Sequence, residues 1–280
     1  MKDMNKFIGG IVLYNPNLQR LKENISAIIN QVDKLILIEN GSKDLKYLDQ
    51  LDSENLIIVK NNVNKGIAYA LNQIMQLSYN WGYKWVLTLD QDSVVSSNLI
   101  ETYQQLLSPE IGIIHCNVID RNFARKCLPI NKDEPIKIKE CITSGSLTNV
   151  EAWKKIGGFD ENLFIDCVDW DFCNNLRDHN YGIIKTHKTY IIHELGQNTK
   201  VKYIGKHELL ITNHNKERNY FIFRNNIYLA RKYKDRSLTK HVLRCIKLSV
   251  LSLFFSPNKL QVLKYQSKGF IDGFKMKINK

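Results

Sequence analysis

The sequence predicts an α/β fold in which a mostly parallel, doubly wound sheet is flanked by helices. Apolar runs of strand length alternate along the chain with segments whose apolar residues recur at helical spacing. This alternation is typical of parallel strands joined by helical crossovers. Several runs end in polar residues, of which Tyr14, Glu39, Asn40 and Asp90 are the clearest. Because ligands of such sheets bind beyond the carboxyl ends of the strands, these residues are candidates for a binding site.

The first half of the chain contains four predicted strands and two predicted helices. Apolar runs bounded by turn residues place the strands at 7–14, 34–38, 56–59 and 85–89. Apolar residues at helical spacing place the helices at 18–29 and 67–77. The dipeptide Asn15-Pro16 supplies the turn that ends the first strand, and the residues after Ile38 supply the next one.

The second half has a less regular pattern. Apolar runs predict further strands at 111–114, 137–143 and 183–192. A short helix is predicted at 150–156, and a second helix opens after Phe164 and continues through Arg177. From Asn219 the sequence is helical and basic as far as Pro257.

Length and composition predict one large domain at 1–235 and a basic, amphipathic helical C-terminal segment at 236–280. The chain has 280 residues, of which 44% are hydrophobic, enough for a sizeable core. No apolar run reaches the roughly 18 residues that span a bilayer. The six cysteines are scattered without a Cys-x-x-Cys pair, so we expect reduced thiols and no structural zinc site.

The positive charge is concentrated at the C-terminal end. Residues 200–280 contain 19 Lys and Arg against 4 Asp and Glu, whereas residues 1–199 contain 21 against 24. This asymmetry indicates an anionic partner, which is nucleic acid, an anionic membrane surface or a phosphorylated substrate; the alternative is a basic helix surface that only contributes to solubility. Apolar residues interleaved with the basic ones suit a membrane surface, a homodimer contact or a core helix.

Two carboxylates follow the fourth predicted strand directly. Asp90 and Asp92 come after Val86, Leu87 and Leu89, and a buried strand does not carry unpaired charge. Both acids are therefore expected at an edge of the sheet. Carboxylate oxygens there suit a hard divalent cation, which can also hold a diphosphate. The alternative is an ordinary capped loop after a strand.

Nine short motifs, in this order over about residues 7–235, resemble the inverting family-two glycosyltransferases of the GT-A (Rossmann-like) fold. Within that family the sequence is most similar to the bacterial rhamnosyltransferases. The motifs are Tyr14-Asn15-Pro16, Glu39-Asn40-Gly41-Ser42, Asn64-Lys65-Gly66-Ile67-Ala68 with Asn72, Leu89-Asp90-Gln91-Asp92-Ser93, Thr143-Ser144-Gly145, Gly157-Gly158-Phe159-Asp160, Phe164-Ile165-Asp166-Cys167-Val168-Asp169, His193-Glu194-Leu195-Gly196 and the segment from Arg218 to Asn225.

The resemblance implies a role for each matching residue. The catalytic base is Asp169, and the metal-binding residues are Asp92 and His193, with Mg²⁺ or Mn²⁺ as the cofactor. Residues implied to bind the nucleotide or donor sugar are Tyr14, Asn15, Glu39, Asn40, Asn64, Gly66, Asp90 and Gln91. Residues implied on the acceptor side or elsewhere in the site are Ser144, Gly145, Asp166, Trp170, Asp171, Arg218 and Arg224.

Some of these residues also have structural interpretations. Asp166 is well placed to cap the following helix, whose first turn favours acids. Arg218 and Arg224 suit phosphate or structural carbonyl groups. Glu39 stands where the family has Asp, which adds one methylene group and keeps the charge.

The implied activity is metal-dependent, inverting transfer of L-rhamnose from dTDP-rhamnose to a lipid-linked glycan acceptor in cell-surface polysaccharide synthesis. The implied location is cytoplasmic and peripheral, at the inner face of the membrane. A second hypothesis keeps the fold but uses UDP-galactofuranose or a UDP-hexose. A third is a basic nucleic-acid-binding protein. No nucleic acid partner is expected, because the basic segment lacks a known binding module and the acidic strand ends repel phosphate.

Overall fold

The computed structural model describes residues 6–51, 53–121, 134–194, 199–204, 207–212 and 214–278, and only the backbone of the two six-residue ranges. Contacts between Cα atoms group the chain into two compact units. Unit 1 comprises Met1–Asn162 and Asp169–Glu194, and unit 2 comprises Leu163–Val168 and Leu195–Lys280. The predicted division of the chain at residue 235 stays a prediction.

A mixed, mostly parallel sheet forms the centre of unit 1. Its strands are β1 (Phe7–Leu13), β2 (Lys34–Asn40), β3 (Leu56–Asn61), β4 (Trp85–Asp90), β5 (Val94–Val95), β6 (Ile111–Asp120), β7 (Ile136–Lys137), β8 (Ser146–Asn149) and β9 (Gly182–His193). Within the described residues the strand order is β3-β2-β1-β4-β8-β6-β9-β5, with β7 paired to β9. Strand β8 runs antiparallel between β4 and β6. The predicted α/β sheet is confirmed.

Five helices of the described part of unit 1 accompany this sheet. They are α1 (Leu18–Ile28), α2 (Ile67–Asn80), α3 (Leu99–Gln104), α4 (Val150–Lys155) and α5 (Val168–Asp178). The Asn17 side chain caps α1 by accepting a hydrogen bond from the backbone N–H of Arg20. Leu21 and Ile28 on α1 are buried in the same apolar cluster as Ile11 of β1. The apolar periodicity of the sequence therefore corresponds to real burial.

One predicted strand is wrong in position. Residues 137–143 were expected to pair, but β7 stops at Lys137 and the next strand, β8, begins at Ser146. Strand β8 has the sequence Ser-Leu-Thr-Asn and carries a single aliphatic residue, so it lacks the apolar signature of a strand. It is nevertheless buried, because both of its neighbours in the sheet supply backbone partners. The short elements α3 and β5 also lack a sequence signal.

Unit 2 is built around a three-helix packing. Its helices are α6 (Lys216–Lys232), α7 (Leu238–Phe255) and α8 (Lys259–Lys275), and β10 (Thr199–Ile204) and β11 (His207–Thr212) form an antiparallel hairpin. Helix α8 lies directly on α6, because a Cβ atom at Gly269 or Gly273 would overlap the backbone of α6. Gln266 of α8 is buried and donates to Asn219 of α6. Helices α7 and α8 lie within the helical C-terminal segment predicted from residue 236, whereas the hairpin has no counterpart among the predicted strands.

Among the described residues, no helix is both long enough and apolar enough to cross a membrane.

Candidate active site

Strand direction brings the polar strand ends of unit 1 to one edge of the sheet. Strands β1, β2 and β4 are parallel, and β6 and β9 run in the same direction beyond the antiparallel β8. Asp90 therefore ends β4 at the edge where His193 ends β9. The same edge holds the start of β8, where Ser146 pairs with Thr88. Residues far apart in sequence meet here because of this topology.

Asp90, Asp92 and His193 form a cluster that could hold a metal ion. One ligand atom from each residue lies within 4.8 Å of the other two. The His193 Nε2 atom is 3.7 Å from Asp90 Oδ2, and its Nδ1 atom is 3.6 Å from Asp92 Oδ1. The His193 side chain is 12% exposed and that of Asp90 is 43% exposed, so Asp90 is the member of the cluster most open to solvent.

The state of the Asp92 carboxylate fits a bound cation. Its Oδ1 atom is buried and accepts no hydrogen bond. Burial raises the pKa of the Asp92 carboxyl, because desolvation penalises the charged form. A divalent cation would compensate for this buried charge. Two carboxylates and an imidazole are ligands that Mn²⁺ accepts, whereas Mg²⁺ prefers oxygen ligands throughout.

Hydrogen bonds fix both backbone polar groups of Asp90, its N–H and its carbonyl oxygen. Its N–H donates to Ser144 Oγ at 3.0 Å. Its carbonyl oxygen accepts from Asn24 Nδ2 at 2.7 Å and from the backbone N–H of Ser93 at 3.2 Å. These contacts join α1, the loop after β4 and the start of β8. They hold the chain rigidly where the first carboxylate leaves the sheet.

Three predicted donor-binding residues link loops along this edge. The Gln91 side chain accepts from the backbone N–H of Tyr14 at 2.9 Å and donates to its carbonyl oxygen at 3.3 Å. The backbone N–H of Asn15 donates to Ser42 Oγ, and Asn15 Oδ1 accepts from the backbone N–H of Lys43. The Tyr14 side chain is exposed. Asn15 is also exposed, but its side-chain oxygen is engaged by Lys43, whereas Tyr14 takes part in these contacts through its backbone.

The Glu39 side chain forms hydrogen bonds with backbone groups of the turn that follows β2. The buried Glu39 carboxylate accepts from the N–H groups of Gly41 and Ser42, the latter at 2.6 Å. Glutamate has the reach for this contact. The role of Glu39 toward a nucleotide base stays a prediction.

Asn40 joins the end of β2 to the loop before α2. Its side chain donates to Asn64 Oδ1 and to the carbonyl oxygen of Gly66, and accepts from the N–H of Lys65. Asn64 Oδ1 also accepts from the N–H of Gly66, which has a φ of 88°. The predicted nucleotide-side residues therefore come together as one rim.

The two carboxylates in the first turn of the acidic helix α5 differ in how deeply they are buried. Asp169 in the first turn is half-buried, and its Oδ1 atom accepts from the N–H of Trp170 at 2.9 Å. Asp171 is buried. The next residue, Phe172, stacks on Phe159 with ring centroids 4.0 Å apart. Of the two acids, Asp169 is the one accessible to a substrate hydroxyl.

Asp166 does not cap α5 as expected. Helix α5 begins at Val168, one residue too late for Asp166 to be the N-cap. The Asp166 carboxylate instead accepts two-pronged hydrogen bonds from the Arg218 guanidinium in unit 2, at 3.0 to 3.3 Å. The backbone explains the difference, because Asp166 and Cys167 both have positive φ angles, 64° and 68°, which turn the chain sharply before the helix.

The remaining predicted residues are engaged in local contacts. Arg224 donates to Asn225 Oδ1 at 2.8 Å and lies over the Phe221 ring at 4.8 Å, inside unit 2. Ser144 is buried beneath the edge of the sheet in unit 1. Gly145, with a φ of 79°, is also buried, and its carbonyl oxygen accepts from the Tyr103 hydroxyl. Their acceptor-side roles stay predictions.

Sequence reasoning missed Asn24 and Ser93. Asn24 lies on the buried face of α1, between Leu21 and Ile28, and a polar residue at such a position is a usable signal. Ser93 closes the motif Leu89–Ser93, but serine is so common in loops that no role was predicted for its side chain. Both side chains are fully buried.

Three comparisons place the chain among known proteins. The model of "Glycosyl transferase family 2" matches residues 10–145. The sequence is 27% identical over 286 residues to "dTDP-rhamnosyl transferase RfbF" of Shigella flexneri, covering 95% of this chain and 94% of that protein.

Solved structures with little sequence identity share the fold. GalNAc-T7 with UDP, GalNAc and Mn²⁺ superposes with a TM-score of 0.63 at 11% identity, over 98% of this chain and 57% of that one. S. aureus TarS 1–349 with UDP-GlcNAc superposes with a TM-score of 0.59 at 14% identity, over 96% and 81% of the two chains. The chain thus spans little more than half of GalNAc-T7. The chain is a glycosyltransferase with the GT-A fold, and the part of it that matches family 2 is residues 10–145.

Proposed function

We propose that this enzyme transfers L-rhamnose from dTDP-β-L-rhamnose to a hydroxyl group of a glycan, with inversion to an α linkage. The observation that carries the proposal is the cluster of Asp90, Asp92 and His193 at the carboxyl ends of parallel strands. This is where a metal-held nucleotide diphosphate is expected in such a sheet. The choice of donor rests on the similarity to the S. flexneri dTDP-rhamnosyl transferase.

The reaction needs two contributions from the protein. A carboxylate must accept the proton of the acceptor hydroxyl as its oxygen attacks the anomeric carbon, and we assign this role to Asp169. The departing dTDP gains negative charge as the bond between the anomeric carbon and its phosphate oxygen breaks, and a bound Mn²⁺ or Mg²⁺ would supply the compensating positive charge. Asp90, Asp92 and His193 would hold that cation. No covalent intermediate is required, so a single displacement inverts the configuration.

The donor is tested by thermal shift in the presence of Mn²⁺. A ligand that binds only the folded protein, at about 100 times its Kd, stabilises it by about 2.7 kcal/mol and raises the melting temperature by several degrees. We expect dTDP and dTDP-rhamnose to produce a larger shift than UDP-glucose or UDP-galactofuranose. A larger shift with a UDP-sugar would reassign the donor and leave the reaction class in place.

We also propose that the acceptor is lipid-linked and that α7 attaches the enzyme to the anionic inner face of the cell membrane. An exposed stripe on α7 consists of five apolar residues at helical spacing: Leu243, Ile246, Val250, Leu253 and Phe254. The basic residues beside it are Lys240, Arg244 and Lys247, and α7 contains no acid. An apolar stripe with basic flanks suits anionic lipid headgroups.

Membrane attachment is tested by a substitution that introduces one negatively charged residue into the exposed stripe of α7. Phe254 is 69% exposed, and burying such a ring in the membrane contributes about 1.5–3 kcal/mol. We therefore expect Phe254→Glu to weaken partitioning onto phosphatidylserine vesicles at least about tenfold. Val63, which is 61% exposed in unit 1, provides the matched control Val63→Glu.

Two results would contradict membrane attachment. One is equal sedimentation of Phe254→Glu and wild type with the vesicles. The other is a wild-type protein that ignores vesicles but dimerises through the stripe, with Phe254→Glu monomeric in size-exclusion chromatography. Deletion of residues 236–280 is a poorer test, because it removes α8 from its close packing on α6.

A further inference from the structure

Two buried serines join His193 to the backbone of Asp90 through an unbroken chain of hydrogen bonds. Ser93 Oγ lies 2.9 Å from His193 Nδ1 and 2.7 Å from Ser144 Oγ. Ser144 Oγ in turn accepts from the Asp90 N–H at 3.0 Å. Both serines have no exposed surface. The chain therefore runs beneath the metal-binding cluster, and solvent does not compete for it.

The fold assembles this chain from three separate segments. Ser93 comes from the turn after β4, Ser144 from the loop before β8, and His193 from the end of β9. Ser93 is 51 residues from Ser144 and 100 residues from His193. Only the folded sheet brings these groups within hydrogen-bond distance, so the unfolded chain has no counterpart of this arrangement.

The contact with Ser93 gives the two imidazole nitrogens of His193 different roles: Nδ1 forms a hydrogen bond and Nε2 is left for a cation. Nδ1 lies 2.9 Å from Ser93 Oγ and 3.6 Å from Asp92 Oδ1, the latter too long for a hydrogen bond, while Nε2 faces Asp90 Oδ2 at 3.7 Å. A histidine that binds a metal through one nitrogen usually donates its other N–H to a neighbouring group, which fixes the ring. A cation at Nε2 requires the proton on Nδ1. The Nδ1–H then donates to Ser93 and the Ser93 hydroxyl donates to Ser144, so each contact has one donor and one acceptor.

We infer that Ser93 and Ser144 are positioning residues that present His193 Nε2 to the divalent cation and lock its ring to the Asp90 backbone. This inference rests on the metal centre of the proposed function. Neither serine belongs to the cluster of candidate metal ligands, and both are buried. Their contribution is to hold one ligand in place before the cation arrives, and a preorganised ligand loses less freedom on binding.

The test is Mn²⁺ binding by the full chain without donor, followed through the electron paramagnetic resonance signal of free Mn²⁺. Loss of an outer-shell partner typically weakens metal affinity 10–100-fold, so Ser93→Ala is expected to bind Mn²⁺ at least about tenfold more weakly. Ser144→Ala breaks the same chain one bond further away and is expected to show a smaller loss. Both are compared with wild type for melting temperature without metal.

Ser96→Ala is the matched control. Ser96 is also buried and stands on the other side of the two-residue strand β5, but its hydroxyl pairs with Thr189 rather than with the cluster. It is expected to bind Mn²⁺ as tightly as wild type does. An equal loss of affinity in Ser96→Ala would show a general packing effect and would overturn the inference.

The outcomes separate this inference from the proposed function. If Ser93→Ala and Ser144→Ala both bind Mn²⁺ like wild type while Asp92→Asn does not, the serine chain has no positioning role and the metal centre stands. If Ser93→Ala does not fold, unweakened binding by Ser144→Ala overturns the inference. If wild type itself binds no Mn²⁺, with or without dTDP, the metal centre and the inference fail together.

Discussion

The Asp169→Asn enzyme is expected to be slower than wild type by roughly two to four orders of magnitude, the usual scale for loss of a general base. Asparagine has nearly the same shape but cannot accept the proton of the acceptor hydroxyl. The half-buried carboxylate in the first turn of α5 is open to a substrate, whereas the Asp171 carboxylate two residues later is buried. Donor affinity, measured by calorimetry with Mn²⁺ present, should change little.

Asp178→Asn is the control for this prediction, because Asp178 is an exposed acid at the other end of the same helix. It should retain wild-type turnover. Near-normal turnover of Asp169→Asn, together with inactivity of Asp171→Asn or Asp166→Asn, would mean that the base has been assigned to the wrong acid. An Asp166 variant must also be checked for folding, since its carboxylate pairs with Arg218.

Replacement of Asp92 by Asn is expected to abolish most of the activity and to weaken Mn²⁺ binding severely. Asp92 belongs to the cluster, and its Oδ1 atom is buried and accepts no hydrogen bond, so a cation is its natural partner. Excess EDTA should reproduce the loss of activity in wild type, and added Mn²⁺ or Mg²⁺ should restore it. Asp44→Asn, which changes an exposed acid in the loop after β2, should keep full activity.

The stability of the Asp92→Asn variant without metal provides an independent test of whether this carboxylate serves the cation rather than the fold. Burial raises the pKa of the Asp92 carboxyl, so the folded protein holds this proton more tightly than the unfolded chain does. The resulting stabilisation is present below the unfolded pKa and is lost as the pH rises through the folded pKa. At pH 7 without metal, the variant should therefore melt no lower than wild type. Full turnover of the variant, or of wild type in EDTA, would contradict metal dependence.

Several residues implied to bind the donor hold the rim together instead of pointing freely into it. The Glu39 carboxylate accepts from its own turn, and the Asn40 amide joins the end of β2 to the loop before α2. Loss of activity in variants of these residues would therefore mix loop disorder with lost ligand contacts. Tyr14, whose side chain is exposed, is the more informative position for mapping the nucleotide.

The sequence by itself determined the strands and helices that have strong apolar periodicity, and with them the edge at which Asp90 and Asp92 emerge. These elements can be recognised from local sequence alone. A run of aliphatic residues predicts a buried strand whatever distant segment it pairs with. The order of polar motifs likewise indicated the family. The same local reasoning failed for β8, which has one aliphatic residue and is a strand only because β4 and β6 flank it.

Only the tertiary structure decided which polar side chains act together. Asp92 lies 101 residues from His193, and no pattern of spacing predicts that their ligand atoms meet. The Ser93–Ser144 contact and the pairing of Asp166 with Arg218 are of the same kind. Hydrogen bonds and shared metal ligands require distances of a few ångström between groups whose separation is fixed by the packing of the whole sheet. Sequence patterning specifies which residues are buried, but the fold specifies which of them touch.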